Sequence, residues 1–189
     1  NTVKIGNQVW MVENLKTTKY NDNTTIPLVT DNTEWTNLST AAYSWPANNE
    51  AQYKNLYGAY YNWYAVETGK LCPSGWHVPT DADFKTLEMS LGMTQVQADA
   101  IEWRGTDQGK KMKNTTGWDA GGNGANTSGF TAMPSGYRAY ATGGSDNLGT
   151  LTYFWTSSQI NQDIATYRRL DGTNDAVYRS GTYKRAGKV

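Results

Sequence analysis

Gly75-Trp76-His77-Val78-Pro79-Thr80-Asp81-Ala82-Asp83-Phe84 is the stretch on which the reading of the fold turns. Pro79 cannot continue a preceding helix or strand, and Thr80 follows it as an N-cap. Asp83 stands at N3, a capping-box variant. Asp81 and Asp83 suit the positive end of a helix. Phe84, Leu87 and Leu91 then fall on one face, and Gly92 supplies the C-cap. Thr94 with Gln97 repeats the capping signal, so a second short helix is expected from about Gln95 to Trp103.

Upstream, residues 1 to 16 read as a β-hairpin. Val3, Ile5, Val9 and Met11 alternate around a Gly6-Asn7 turn. Residues 17 to 52 are rich in Asn, Thr, Asp and Ala with little periodicity, and Trp45-Pro46-Ala47-Asn48-Asn49 has loop character. This is expected to be a long surface excursion with short strands at most. In the aromatic run from Leu56 to Val66, the spacing of Tyr60, Trp63 and Tyr64 predicts a short helix after Gly58, ended by Gly69. Downstream of Gly105, short apolar segments read as antiparallel strands: Lys110 to Lys113, Phe130 to Met133, Tyr153 to Ser157, Thr166 to Leu170, Ala176 to Arg179 and Thr182 to Arg185. No βαβ alternation is present. The class is therefore α+β, with short antiparallel strands, two to three short helices, long loops and neighbouring termini.

The chain has 189 residues, enough for one domain (1–189) with its own core. Net charge is zero, which disfavours nucleic acid as a partner. No apolar run reaches membrane-spanning length. The pattern begins abruptly at Asn1-Thr2-Val3, leaving room upstream for an export signal or lipoprotein anchor. Charged residues make up only 18% against an average near a quarter. Aromatics make up 13%, with 8 Trp and 13 Tyr. That texture suits a secreted or outer-surface β-rich protein. Cys72 is the single cysteine and His77 the single histidine, so a structural zinc site is excluded. Cys72 is read as a small buried thiol, or as half of a disulfide whose partner lies beyond Val189.

Four segments carry a resemblance. They are Thr2 to Met11 with Glu13-Asn14-Leu15; Tyr57-Gly58 with Tyr61-Asn62-Trp63-Tyr64-Ala65-Val66; Gly75-Trp76-His77-Val78-Pro79-Thr80-Asp81; and Ser128-Gly129-Phe130 with Pro134-Ser135-Gly136-Tyr137-Arg138. In this order they resemble the Fibrobacter succinogenes major paralogous domain family, common in secreted proteins and lipoproteins of Fibrobacter and Bacteroides-type bacteria. That family in turn resembles the C-type-lectin-like fold, in the branch of the formylglycine-generating enzymes. The resemblance implies a C-terminal ligand-binding face, extracytoplasmic placement, and a last strand bearing a Cys that would partner Cys72. Formylglycine generation needs a pair of cysteines near the C-terminus, which this chain lacks.

No nucleophile elbow, phosphate loop or paired catalytic carboxylates stand out, and His77 reads as a helix-start hydrogen-bonding residue. No enzyme is expected, and no catalytic residue is assigned. Sugar binding uses aromatic faces with Asn, Asp and Arg beside them. Tyr153, Trp155, Tyr167, Arg168, Asn174, Asp175, Tyr178 and Tyr183 are the candidates, with Tyr153 and Trp155 on one strand face and Phe154 on the other. Asn161 to Lys184 has the residue palette of regions that retroelements diversify in related lectin-like proteins. In the Trp118-to-Asn126 loop, Asp119, Asn123 and Asn126 offer oxygen ligands for a structural calcium, the one cofactor considered. The expected function is an extracellular ligand-binding or adhesion module that recognises a glycan or a surface protein. The rival is a structural module of a pilus or lipoprotein scaffold. An exposed aromatic patch favours the first and a long unpaired strand edge the second. A cleft with acids around His77 would indicate an enzyme.

Overall fold

The computed structural model describes residues 1–119 and 121–189. Strands β1 (Thr2–Ile5) and β2 (Gln8–Met11) are followed by helix α1 (Asn32–Thr36), β3 (Tyr43–Ser44), helix α2 (Glu50–Tyr57), β4 (Tyr60–Tyr61) and helix α3 (Trp63–Glu67). Next come α4 (Asp81–Ser90), α5 (Gln95–Asp99), β5 (Glu102–Arg104), α6 (Gln108–Met112), β6 (Tyr137–Arg138), β7 (Ser145–Asp146), β8 (Leu151–Gln159), β9 (Ile164–Asp171) and β10 (Asn174–Tyr183). The fold is α+β. Its centre is a four-stranded antiparallel sheet in the order β5-β10-β9-β8, and three two-stranded ladders surround it. No helix among the described residues is long and apolar enough to cross a membrane.

Local chemistry sets the helix starts. Thr80 Oγ1 accepts from Asp83 N at 3.0 Å and Asp83 Oδ2 accepts from Thr80 N at 2.8 Å, a complete capping box. Thr94 and Gln97 close a second box. The N-terminal hairpin forms with Ile5 opposite Gln8. Both ends of the chain pack on one core, since Val3 and Val189 lie against the same cluster.

Several sequence expectations fail for identifiable reasons. The 17–52 excursion contains α1 and the start of α2, capped by Asp31 and Asn49. Each helix buries a single ring, Trp35 or Tyr57, so neither shows apolar periodicity. The helix after Gly58 begins only at Trp63, because Tyr60 and Tyr61 pair with β3. The α5 helix stops at Asp99 rather than Trp103, and Trp103 instead pairs across strands with Tyr178. Lys110 to Lys113 lies mostly in helix α6, whose Gly109 touches the β10 backbone; an added Cβ would sit 2.3 Å from Ala176 O. Phe130 to Met133 contributes only an isolated bridge between Ala132 and Lys113. The two last expected strands are one, β10. Among the described residues six short α-helices stand in place of the expected two to three helices.

Several residues of the segments that carry the family resemblance work as joints. Asn62 Oδ1 accepts from Ala42 N and Ala65 N while its Nδ2 donates to Thr40 O, tying the 40–42 segment to the start of α3. Gly58, at φ 76°, leaves room for Leu15 O, and Asn14 donates to Tyr57 O. Buried Arg138 donates to Gly143 O, Val29 O, Thr30 O and Asp31 O and stacks on Trp35 at 4.2 Å, which pins the long excursion. Burial pushes its guanidinium down to about 10.

One face of the main sheet lies against α4. Phe154, Leu170 and Val177 from the strands pack with Phe84 and Leu87 from the helix. Within this layer Glu88 Oε1 accepts from Arg168 Nε at 2.8 Å and from Arg104 Nη2 at 2.9 Å. Asp81 accepts from Arg168 Nη1 and Arg179 Nη2, both at 2.7 Å. Burial alone would raise the Asp81 carboxyl, but the Arg179 and Arg168 guanidiniums hold it well below its ordinary 3.8. Removing one partner of such a buried cluster leaves an uncompensated charge. Glu88→Gln should therefore lower unfolding free energy by about 3–5 kcal/mol in urea melts at neutral pH. The Asp81 contribution is present above pH 3.8 and lost as pH falls further, so Asp81→Asn should flatten the acid limb of stability. An unchanged acid limb would contradict that role.

Candidate functional site

The opposite face of the same sheet carries the aromatic residues. Trp155 and Tyr167 belong to the other large core cluster, with Tyr61, Trp63 and Trp45 packed over them. Tyr153 and Tyr178 pack only partly against it. Phe154 lies on the α4 side, as strand alternation requires.

Register assembles a row across all four strands on this face. Trp103 pairs with Tyr178, Tyr178 with Arg169, and Arg169 with Tyr153. At about 4.8 Å per strand the row spans about 14 Å. Trp103 and Tyr178 meet edge-on at 5.1 Å. The Arg169 guanidinium sits 5.4 Å from Trp103, 5.8 Å from Tyr153 and 5.9 Å from Tyr178. It donates to Asp171, yet its Nε is buried without a partner among the described residues. Trp103 is 38% exposed, the Arg169 side chain 27%, and Tyr153 and Tyr178 are half-buried. The row is therefore open to solvent on its outer side. Tyr137 extends it, 4.9 Å from Tyr153. Tyr140 and Tyr183 form a neighbouring pair 4.8 Å apart with Arg185 over both rings.

Beneath the row lies Lys188, 2% exposed. Its ammonium is ringed by Tyr153 at 3.7 Å, Tyr167 at 4.5 Å, Trp155 at 5.1 Å and Tyr137 at 5.4 Å. No carboxylate lies within ion-pair distance of it among the described residues. Four ring faces supply the electrostatic attraction that a carboxylate normally would. Burial, with Arg169 nearby, lowers the ammonium well below a free lysine's 10.5. Burial likewise raises the Tyr153 and Tyr167 hydroxyls.

The structure divides the residues singled out by sequence. Tyr153, Tyr167 and Tyr178 come together on this face. Trp155 is 3% exposed and forms the floor, its Nε1 donating to Tyr61 O, so it presents no ring to the surface. Arg168 is a correction. It points to the α4 side and is fully engaged by Asp81 and Glu88. Its neighbour Arg169 takes the place expected of it, because alternation puts Tyr167 and Arg169 on one face and Arg168 on the other. Asn174 and Asp175 lie beyond the bulge in β10, where Asp175 sits 3.6 Å from Lys110 and 3.7 Å from Lys113, away from the row. Trp103 and Lys188 went unread. The alternation rule could have found Arg169, but only long-range pairing reveals the other two.

In the loop expected to offer calcium ligands, two of the three named residues bond the backbone. Asn123 Oδ1 accepts from Trp118 N and Asn126 Oδ1 from Thr131 N, so both oxygens brace the backbone. Asp119 is exposed, and Ala120 lies outside the described residues. No group of three or more His, Cys, Asp or Glu side chains able to hold a metal occurs among the described residues. His77 is exposed and its Nε2 lies 3.2 Å from Asp83 Oδ2, a carboxylate already used in the capping box. Cys72 is a buried free thiol, pushed up to about 11 by burial.

The profile described as Fibrobacter succinogenes major domain matches residues 3–188. No curated protein and no solved structure matches the chain.

A depressed lysine binds fewer protons in the folded chain than in the unfolded one, so stability should rise with pH until the unfolded value of 10.5 is passed. Lys188→Met should remove that rise while keeping the cage filled. Thermal melts of both proteins between pH 7 and 10.5 measure the difference; parallel curves would show that Lys188 stays charged in the fold.

Proposed function

We propose that this chain, which belongs to the Fibrobacter succinogenes major domain family, is a recognition module whose working surface is the Trp103–Tyr178–Arg169–Tyr153 row. The single observation behind this reading is that four strands place partly exposed rings and a partly exposed guanidinium in one line on an open sheet face. Rings of this kind stack on the apolar faces of sugars, while the guanidinium and tyrosine hydroxyls hydrogen-bond hydroxyl or carboxylate groups. The row is long enough for more than one sugar ring. A glycan is therefore the proposed ligand, displayed to an extracellular or outer-surface module built on a C-type-lectin-like plan. Chain ends that pack on one core and an antiparallel C-terminal sheet support that plan.

The rival reading, a scaffold assembled by strand addition, has little template in the main sheet. The outer edge of β8 is in use, since Gly136 N donates to Leu151 O, Ser157 N to Pro79 O and Trp155 N to Val189 O. The other edge, β5, is only 3 residues long.

A glycan array probed with the folded domain, with and without calcium, tests the proposal. Trp103→Ala or Tyr178→Ala should weaken the selected glycan by roughly 2 kcal/mol, about thirtyfold in Kd, as for an aromatic anchor in an interface. Asp175→Ala should leave binding unchanged. Loss on calcium chelation would bring the Asp119 loop into the site. A folded domain that binds no glycan would overturn the sugar reading in favour of protein recognition.

A further inference from the structure

We infer that the glycan bound by the row is an acidic one, whose carboxylate or sulfate group is received by Arg185 beside Tyr140 and Tyr183, a step that rests on the glycan reading itself. The chain places these three residues together by two local devices. At the end of β10, Ala186 N donates to Tyr183 O at 3.0 Å, a turn that brings the Arg185 guanidinium to 4.8 Å from the Tyr183 ring. Arg138 and Gly187 exchange backbone hydrogen bonds at 2.8 and 2.9 Å, which carries Tyr140 to the same place, 4.8 Å from Tyr183 and 5.7 Å from the guanidinium. Tyr140 stands three residues past Tyr137, so at most about 10 Å of chain separates this cluster from the flank of the row.

Arg185 differs from the other five arginines of the chain. Arg104, Arg168, Arg169 and Arg179 bond carboxylates, and Arg138 bonds carbonyl oxygens. Arg185 donates to no residue and meets no carboxylate at ion-pair distance among the described residues. Its Nε is buried and out of a ligand's reach, whereas Nη1 and Nη2 are unbonded and not buried, in a side chain that is partly exposed. The acids of the neighbourhood are elsewhere engaged or turned away. Glu67 lies 3.4 Å from Lys184, and Asp163 is exposed between β8 and β9 without an ion pair among the described residues. Stacking on two rings holds the guanidinium plane in place and leaves its outer fork free, the geometry that accepts a carboxylate or sulfate through two parallel hydrogen bonds. The Tyr140 and Tyr183 hydroxyls are likewise unbonded and not buried among the described residues, and Tyr183 is 40% exposed, so donors and a ring edge stand beside the fork for the sugar that carries the acid.

The test screens the folded domain against oligogalacturonate, heparosan and a sulfated galactan oligosaccharide, beside neutral galactan, chitin and cellulose oligosaccharides of matched length. At least one acidic ligand should bind about tenfold tighter than its own methyl-esterified or desulfated form, as expected for charge-assisted hydrogen bonds to one group. The carboxylate and sulfate arms show which of the two groups the fork takes. Arg185→Met keeps an apolar stem against both rings and should erase that preference while the neutralised form binds as before. Trp103→Ala should weaken the acidic and neutralised forms alike. Should Arg185→Met fail to fold, phenylglyoxal labelling of the unaltered protein locates the contact: saturating acidic ligand should slow labelling of Arg185, read by peptide mass. Equal affinity for acidic and neutralised forms, a preference that survives Arg185→Met, or labelling of Arg185 that the acidic ligand leaves unchanged would overturn the assignment. Neutral glycans bound through Trp103 without any acidic preference would remove the acidic subsite alone, whereas a folded domain that binds no glycan would remove the glycan reading with it.

Discussion

The salt-bridge cluster between α4 and the sheet is the constraint on which the rest depends. Asp81 and Glu88 are seven residues apart, two turns of helix, and so project from one face of α4. Three guanidiniums meet them: Arg168 from β9, Arg179 from β10 and Arg104 from β5. Arg168 and Arg179 stand directly opposite each other in the register. Like charges in that position repel, and only the two carboxylates of α4 make the pairing acceptable. The helix thereby selects the register of three strands. Arginine suits this work because its planar fork reaches two carboxylates at once and stays charged when buried.

Fixing the register on the inner face also fixes the outer one, since side chains alternate. With Arg168 and Arg179 turned toward α4, Arg169 and Tyr178 must turn outward and stand beside each other. Trp103 and Tyr153 complete the row from the flanking strands. The two faces use cations differently. Inside, guanidiniums are matched to carboxylates. Outside, Arg169 shares one carboxylate, Asp171, with three rings, and Lys188 lies among four rings with no carboxylate within ion-pair distance among the described residues. The four rings packed around the Lys188 amine make a firm floor under the exposed rings.

The family motifs have a different physical meaning from the candidate site. Asn62, Gly58 and Arg138 bind backbone segments far apart in sequence, and the box at Thr80 starts the helix that sets the register. The four residues of the proposed recognition row lie outside the segments that carry the resemblance, and only the flanking Tyr137 comes from one of them.

Local chemistry made part of this legible in the sequence alone. The hairpin at Gly6-Asn7, both capping boxes, the amphipathic face of α4 and the alternation of Tyr153, Phe154 and Trp155 follow from interactions within a few residues. The helices in the 17–52 excursion were not legible, because α1 and α2 each bury one ring and owe their place to distant partners such as Arg138. Nor was the side of the sheet that faces solvent. That depends on where α4 lies, and α4 is held by carboxylates whose partners stand 80 or more residues away in Arg168 and Arg179. Alternation establishes that Arg168 and Arg169 part company. Only the packed helix decides which of the two is buried as a salt bridge and which is displayed among the rings.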